Sequence, residues 1–351
     1  MPDHWAEPWW NPARHKDRRP GLLTRNRVKS ALRAQFEADG FIEVEAAALQ
    51  VSPGNEPHLH AFTSRAVAPD GQAAPLYLHT SPEFALKKML AAGERKIFDF
   101  ARVFRNRESG PRHAREFIML EWYRAEESYT ALMDDCAAIL LCAAQAAGVR
   151  FLSHGTRVAD AMAAPERLSV ADAFSRYAGI DLLAMLTNAG VPLRDPFAKA
   201  ATSAGIRVAD DDTWSDIFSR VMADRVERQI GNGLATILYD YPLPEAALAR
   251  RKPDDARLAE RFEMFACGVE LANAFGELRD AGEQRRRFEI DMAEKQRLYG
   301  ERYPLDEDFL AALASMPDAS GCALGFDRLV MLLMGAARIE DVQWTPPSEL
   351  A

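Results

Sequence analysis

The chain reads as an α+β fold: an antiparallel sheet with helices around it. Three observations predict this. Strand-like segments far outnumber simple βαβ alternations. Several of them follow one another across polar loops of hairpin type. No Gly-x-Gly-x-x-Gly follows a strand and no Gly-x-x-x-x-Gly-Lys-Ser/Thr occurs, so the phosphate loops of doubly wound folds are missing.

In chain order, residues 1–22 read as an N-terminal arm, with Trp5, Trp9 and Trp10 expected to pack it onto the body. A helix is predicted from Thr24, as N-cap, through Val28, Leu32 and Phe36 to Gly40. Phe41–Glu45 alternates apolar and acidic, as a half-exposed strand does. Residues 51–75 read as a long loop with room for one short strand, and Leu76–His79 as a strand. Ser81-Pro82-Glu83 has the pattern of an N-cap followed by a first-turn proline. Strands are predicted over Lys96–Arg105 and Glu116–Tyr123, joined by the polar Asn106–Arg115 loop with Gly110-Pro111. Residues 129–148 and most of 169–230 read as helical, the latter from Trp214, Ile217, Phe218 and Val221 at helical spacing. Leu234–Tyr239 and the two arms of Phe262–Leu278 read as strands, and Gln284–Leu298 and Glu307–Ala314 as helices. A strand at Gly321–Gly325 then feeds a last helix that stops at Gly335. The domain reading is an arm over 1–22 and one catalytic domain over 23–351, with a mainly helical insertion at about 150–232.

Composition narrows the classes. The chain has 351 residues, 48% of them hydrophobic and 27% charged, which excludes a wholly disordered chain. The net charge is −9, against a general nucleic-acid coat. No apolar run reaches the roughly 18 residues of a membrane span, and the N-terminus has no signal-type apolar core. Cys136, Cys142, Cys267 and Cys322 form no Cys-x-x-Cys or zinc pattern and read as reduced thiols. The expected location is cytoplasmic, with no membrane partner.

Three segments carry chemistry. Phe104–Tyr123 joins Arg105, His113 and Phe117 in one hairpin. Antiparallel pairing is expected to bring Arg105 near Phe117–Glu121. These residues suit an anionic ligand with a flat ring, since guanidinium grips phosphate and Phe stacks on a base. They equally suit a charged, solvated hairpin. Gly268–Leu278 sets Glu270, Asn273 and Glu277 among small apolar residues. That suits an oxygen-ligated Mg²⁺ or a strand with outward acids. Seven residues of straight strand put the two acids on opposite faces, so a shared metal needs a bend at Asn273–Gly276. Gly321–Arg328 supplies Gly325 and a first-turn Arg328, fit for a terminal phosphate or for a snorkelling side chain.

The helix and strand of Thr24–Glu45, the hairpin with Phe104-Arg105, His113, Phe117 and Glu121, and the closing Gly321–Leu333 unit resemble the three signature motifs of class II aminoacyl-tRNA synthetases. The segments TSPEFALKKML, EFIMLEWYRAE and GVELANAFGELRDAGEQ are similar to the lysine-specific branch. Lysyl-tRNA synthetases carry an N-terminal β-barrel that reads the anticodon. Here the motifs begin near residue 24, which leaves no room for it and makes tRNA an unexpected substrate. With Ala323 where the synthetases have Gly, the chain resembles the elongation factor P–lysine ligase family. That family activates lysine or (R)-β-lysine with ATP and joins it to a lysine of elongation factor P.

The resemblance implies roles. Arg105 holds the α-phosphate, Phe117 stacks on adenine, and His113 and Arg328 take the outer phosphates. Asn106, Arg107, Leu271 and Gly325 complete the ATP site. Glu270 and Glu277 hold Mg²⁺. Ser81, Pro82, Glu83, Glu121, Tyr123, Asn273, Glu277 and Ala323 shape the amino-acid pocket, where carboxylates meet the ammonium groups. Arg105, Arg328, Glu270 and Glu277 are the expected catalytic set, ATP and Mg²⁺ the cofactors, and a homodimer the assembly. The chain departs from the family pattern at Arg107 (Glu), Ala114-Arg115 (Asn-Pro), Ala47 (Pro), Ala274 (Gly) and Gly276 (His). Two other readings fit the same residues. One is a shortened tRNA synthetase, which Arg285-Arg286-Arg287 could assist. The other is an inactive paralogue that binds ligand without turnover.

Overall fold

A computed structural model describes residues 8–347. Helix α1 spans Pro12–Ala38 and is capped by Asn11, whose Oδ1 accepts from the Ala13 and Arg14 amides. It starts twelve residues before the expected Thr24 cap and absorbs much of the expected arm. Pro20 sits inside the helix. Thr24 is not a cap: its hydroxyl donates to the Pro20 carbonyl, 3.1 Å away. The extra turns are held by tertiary partners, with Arg18 donating to the carbonyls of Glu340 and Gln343 and Arg14 paired with Glu340. Trp10 is 66% exposed, so it does not pack as expected; Trp5 lies outside the described residues.

Strands β1 (Ile42–Glu43) and β2 (Leu49–Gln50) are short. The expected loop over 51–75 holds more order than one strand: β3 (Phe62–Val67) and β4 (Ala73–Leu78) form a hairpin that β2 extends. Helix α2 covers Glu83–Ala91. Pro82 takes the cap position rather than the first turn, while Ser81 Oγ still accepts from the Glu83 amide. Strands β5 (Lys96–Phe104) and β6 (Glu116–Ala125) form the expected hairpin. Helix α3 (Tyr129–Ala147) ends at a left-handed Gly148. By length and hydropathy α3 could cross a membrane, which the sequence reading did not anticipate. Here its Leu132, Met133, Cys136, Ile139 and Leu140 are buried in the core.

The insertion begins with strands, not helices: β7 (Phe151–His154), β8 (Arg157–Asp160) and β9 (Glu166–Ser169). Its helices are α4 (Val170–Ala178), α5 (Arg194–Ser203) and α6 (Trp214–Val221). Their apolar faces gather Phe174, Phe197, Trp214 and Phe218 into a second core beside the sheet. Then come β10 (Gly233–Leu234), β11 (Thr236–Pro242), β12 (Leu258–Ala266), β13 (Val269–Gly276), α7 (Ala281–Tyr299), α8 (Glu307–Leu313), β14 (Ala319–Gly325) and α9 (Phe326–Met334).

The main sheet has eight strands in the order β1-β5-β6-β14-β13-β12-β11-β9. From β5 to β11 it is antiparallel; the outer pairs β1–β5 and β9–β11 are parallel. One face carries Phe98, Leu120, Trp122, Cys322, Leu324, Ala274 and Phe262 into the core shared with α1, α3 and α9. Because strand side chains alternate, the opposite face is free to build a site.

Candidate active site

That opposite face is written in rows. Register places Tyr123, Gly321, Phe275 and Arg261 across β6, β14, β13 and β12. The next row is Glu121, Ala323, Asn273 and Glu263. Glu270 joins the same face through a β-bulge. Met264 pairs Ala272 while Phe265 pairs Glu270, so Leu271 is the extra residue. One extra residue reverses the alternation. The seven-residue spacing that put Glu270 and Glu277 on opposite faces of a straight strand therefore leaves them on one face. The irregularity lies at Leu271, not at the expected Asn273–Gly276.

These rows floor a cavity of about 310 Å³. Ser81, Glu83, Arg105, His113, Phe117, Glu270, Leu271, Asn273, Ala323, Gly325 and Arg328, all expected, line it. Glu56, Leu59, Arg112 and Arg261 line it too and were missed. Glu56 and Leu59 sit in the segment read as a plain loop. Arg112 lay in plain view within the hairpin loop.

At one end the walls are acidic and buried. Lys87 Nζ stands 2.5 Å from Glu83 and 2.6 Å from Glu277, and both Lys87 and Glu277 are 1% exposed. Burial lowers the Lys87 pKa, and Glu277 and then Glu83 overcome that and hold it above the usual lysine value. The only sequence signal for this residue was its i+4 spacing from Glu83. Glu121 accepts from Ser81 Oγ and from the Tyr123 hydroxyl, each at 2.7 Å. Burial, then the facing Glu83, pushes Glu121 up to about 8 against those two hydrogen bonds. Glu121, Tyr123 and Glu277 thus stand behind the wall rather than on it. Asn273 Oδ1 is buried without a partner among the described residues and borders the cavity, an acceptor suited to an ammonium.

At the other end the walls are cationic. Arg105 Nε donates to the Thr80 carbonyl at 3.2 Å, and its guanidinium lies 5.5 Å from the Phe117 ring centre. The register puts Arg105 beside Arg115 and Phe117, six residues short of Glu121, which instead faces Asp99. Arg328 donates to the carbonyls of Glu270 (3.0 Å) and Arg112 (3.3 Å). Arg112 in turn donates to the Gly268 carbonyl. Burial and then Arg328 lower the pKa of His113 below the usual histidine value.

Other expectations need correction. Arg107 does not line the cavity: it pairs with Glu301 and lies over Tyr299, its backbone at φ 62°. Asn106 bridges to His60 and accepts from the Arg107 amide. Pro82 shapes the start of α2 without lining the cavity. Glu270 and Glu277 cannot share one cation, since seven strand residues separate them by roughly 20 Å and Glu277 is spent on Lys87. Burial, then the neighbouring Glu263, pushes Glu270 up to about 7, against Arg328, Arg261 and Arg105. Of the two acids, Glu270 is the one that lines the cavity, while the neighbouring Glu263 is held by Arg261 and Tyr241. The Arg285–Arg287 run is already paired, to Glu307 and Glu283.

An antiparallel sheet floored by a motif hairpin, with a glycine-led helix closing a cleft that is cationic at one end and acidic at the other, defines a class II synthetase-type catalytic domain. The family described as tRNA synthetases class II (D, K and N) matches residues 7–348. The elongation factor P–(R)-β-lysine ligase of Haemophilus influenzae (strain PittGG) is 38% identical over 323 residues, 92% of this chain and 93% of that one. The protein of the same name from Salmonella arizonae is 39% identical over 326 residues, 92% and 94% of the two chains. The chain belongs to the elongation factor P–(R)-β-lysine ligase family of class II synthetase-like enzymes.

Proposed function

We propose that this chain is a ligase that activates lysine or (R)-β-lysine with ATP and joins it to a lysine ε-amine of elongation factor P. The relatives carry that activity in their names. The observation that carries it here is the charge balance of the acidic end. Glu83 and Glu277 share one ammonium, Lys87, and Glu121, held by the Ser81 and Tyr123 hydroxyls, lies beside them. Three carboxylates grouped around a single built-in cation suit the two ammonium groups of a diamino acid. An apolar or neutral pocket would reject those groups, because an unpaired charge is costly to desolvate.

The residues divide the work. Arg105 neutralises charge gathering on the α-phosphate while the substrate carboxylate attacks it in line and pyrophosphate leaves. Phe117 offers a face for adenine. Arg328 and His113 meet the outer phosphates. Glu270 would hold Mg²⁺, which supplies Lewis-acid neutralisation of phosphate oxygens when bound. The acceptor amine then attacks the adenylate carbonyl and AMP departs. No covalent enzyme intermediate is required.

We also propose a homodimer in the cytoplasm. Exposed Ile42, Leu49 and Val51 beside the start of the sheet support the first, and four unbridged thiols the second. Gel filtration with light scattering tests the dimer. The activity is tested by incubating the protein with ATP, each lysine isomer, and either elongation factor P or total tRNA, then weighing the acceptor intact. A mass gain on elongation factor P supports the reading. A gain on tRNA alone would establish the shortened synthetase instead, and neither gain would leave a ligand-binding paralogue.

A further inference from the structure

The other carboxylates that line or back the cavity each have a nearby partner among the described residues. Glu83 and Glu277 share Lys87, Glu121 has Ser81 and Tyr123, Glu263 has Arg261 and Tyr241, and Glu108 and Glu270 face His113 and Arg328 at 3.8 and 4.0 Å. Glu56 differs. It lines the cavity, yet among the described residues its carboxylate has no ion pair or side-chain hydrogen bond; only its own backbone amide faces it. Gly54 makes its position possible. That residue sits at φ +118°, and a Cβ there would come within 2.9 Å of Glu56 Oε2 and 3.1 Å of Thr80 Oγ1. The carboxylate therefore folds back toward Thr80, whose carbonyl holds Arg105. It lines the cavity within electrostatic reach of both Arg105 at the cationic end and Glu83 at the acidic end.

The surrounding loop is fixed from behind. Lys295 of α7 donates to the carbonyls of Pro57 (3.0 Å) and Leu59 (2.6 Å), and His60 Nδ1 lies 2.9 Å from Glu301. The charged groups facing Glu56 are Glu83 at the start of α2, Arg105 at the hairpin root, and Lys295 and Asp291 on α7. Burial and then Glu83 raise its pKa above the usual carboxylate value, against Arg105 and Lys295. An unpartnered carboxylate held at a reaction centre is costly unless a cation or a proton comes to it.

We propose that Glu56 is the catalytic base of the second half-reaction, receiving the acceptor lysine's ε-ammonium and taking its proton. The step balances as follows. One ammonium proton passes to Glu56, and the freed nitrogen lone pair attacks the adenylate carbonyl carbon. The bond from that carbon to the phosphate oxygen breaks, and AMP leaves with the electron pair. The second nitrogen proton goes to the departing AMP phosphate. The assignment rests on the ligase reading above.

The test separates the half-reactions. In Glu56→Gln, pyrophosphate exchange with the amino acid should persist, as should hydroxamate formation from hydroxylamine, a nucleophile already neutral at the assay pH. Transfer to elongation factor P should fall by about 10²-fold. It should recover in part at higher pH, where the acceptor sheds its proton unaided. Glu56→Asp, which keeps the carboxylate, should restore part of the transfer and serves if the Gln variant folds poorly. Undiminished transfer in Glu56→Gln overturns the proposal. So does an equal fall in exchange, hydroxamate and transfer, which would make Glu56 part of the amino-acid pocket. If the unaltered protein neither exchanges pyrophosphate nor transfers, the ligase reading fails instead.

Discussion

The two ends of the cavity solve opposite electrostatic problems by opposite means. The acidic end stands on α2 and the central strands β6, β13 and β14, with its charged groups buried and bonded to one another. The cationic end stands largely on the hairpin loop and the first turn of α9. Arg105, Arg112 and Arg328 there are steadied by the backbone carbonyls of Thr80, Gly268, Glu270 and Arg112. Fixed side-chain charges suit a small substrate whose ammonium groups must be recognised in a set geometry. Carbonyl-held guanidiniums keep their full charge for phosphate, because carbonyls satisfy N–H groups without neutralising them. On the proposed reading, selectivity belongs to the rigid end and charge stabilisation to the other.

The most severe break falls on the cationic end. Arg105→Ala should cut pyrophosphate exchange by about 10³-fold with an unchanged melting curve, since its main contacts are one carbonyl and one ring face. Near-normal exchange in that variant would refute the phosphate role. At the acidic end the same kind of deletion should strike folding as well. Lys87→Met leaves Glu83 and Glu277 facing each other without a cation and should cost about 3–5 kcal/mol in denaturant unfolding. A loss of activity with no loss of stability would contradict the buried pairing.

Gly321→Ala sharpens the comparison, because its Cβ would stand 2.5 Å from Glu277 Oε1 and closer still to the Tyr123 ring. The expected result is a rise of about 10²-fold in KM for the amino acid with little change for ATP, a split that exchange kinetics would read directly. Ala323→Gly is milder. Ala323 lies between Glu121 and Asn273 in the pocket row, and removing its methyl should shift the preference between lysine and (R)-β-lysine by about tenfold. An unchanged ratio would show that this position does not select the isomer.

The smallest effect is a slope. Glu121 is pushed from 4.5 to about 8, so the folded chain holds that proton more tightly than the unfolded chain does. Stability without substrate should therefore fall as pH rises from 4.5 to 8. Glu121→Gln should flatten that decline in a series of melting curves. A slope unaltered by the substitution would mean that Glu121 is ionised throughout.

Much of the frame could be read from residue order. The β5–β6 hairpin, α3 with its closing Gly148, and the Gly325-to-Gly335 helix follow from local rules of alternation, helical spacing and glycine stops. So does the density of cationic, aromatic and acidic groups in the three motifs, of which Arg105, His113, Phe117, Glu270 and Arg328 all reached the cavity. Local rules failed where a distant segment decided. The first turns of α1 depend on the carbonyls of Glu340 and Gln343, which no nearby residue announces. Arg107 left the site because Glu301, far along the chain, offered it a partner. Glu270 and Glu277 came to one face through an unforeseen bulge, and Glu277 was claimed by Lys87.

What the sequence determined by itself was the kind of fold and the inventory of charges, because strand alternation, helix stops and side-chain chemistry are properties of neighbours. What only the tertiary structure decided was which charges meet, which are spent on each other, and that Glu56 lines the cavity with no ion pair among the described residues. Ion pairing and burial depend on distances across the fold, and those are set by register and packing rather than by spacing along the chain.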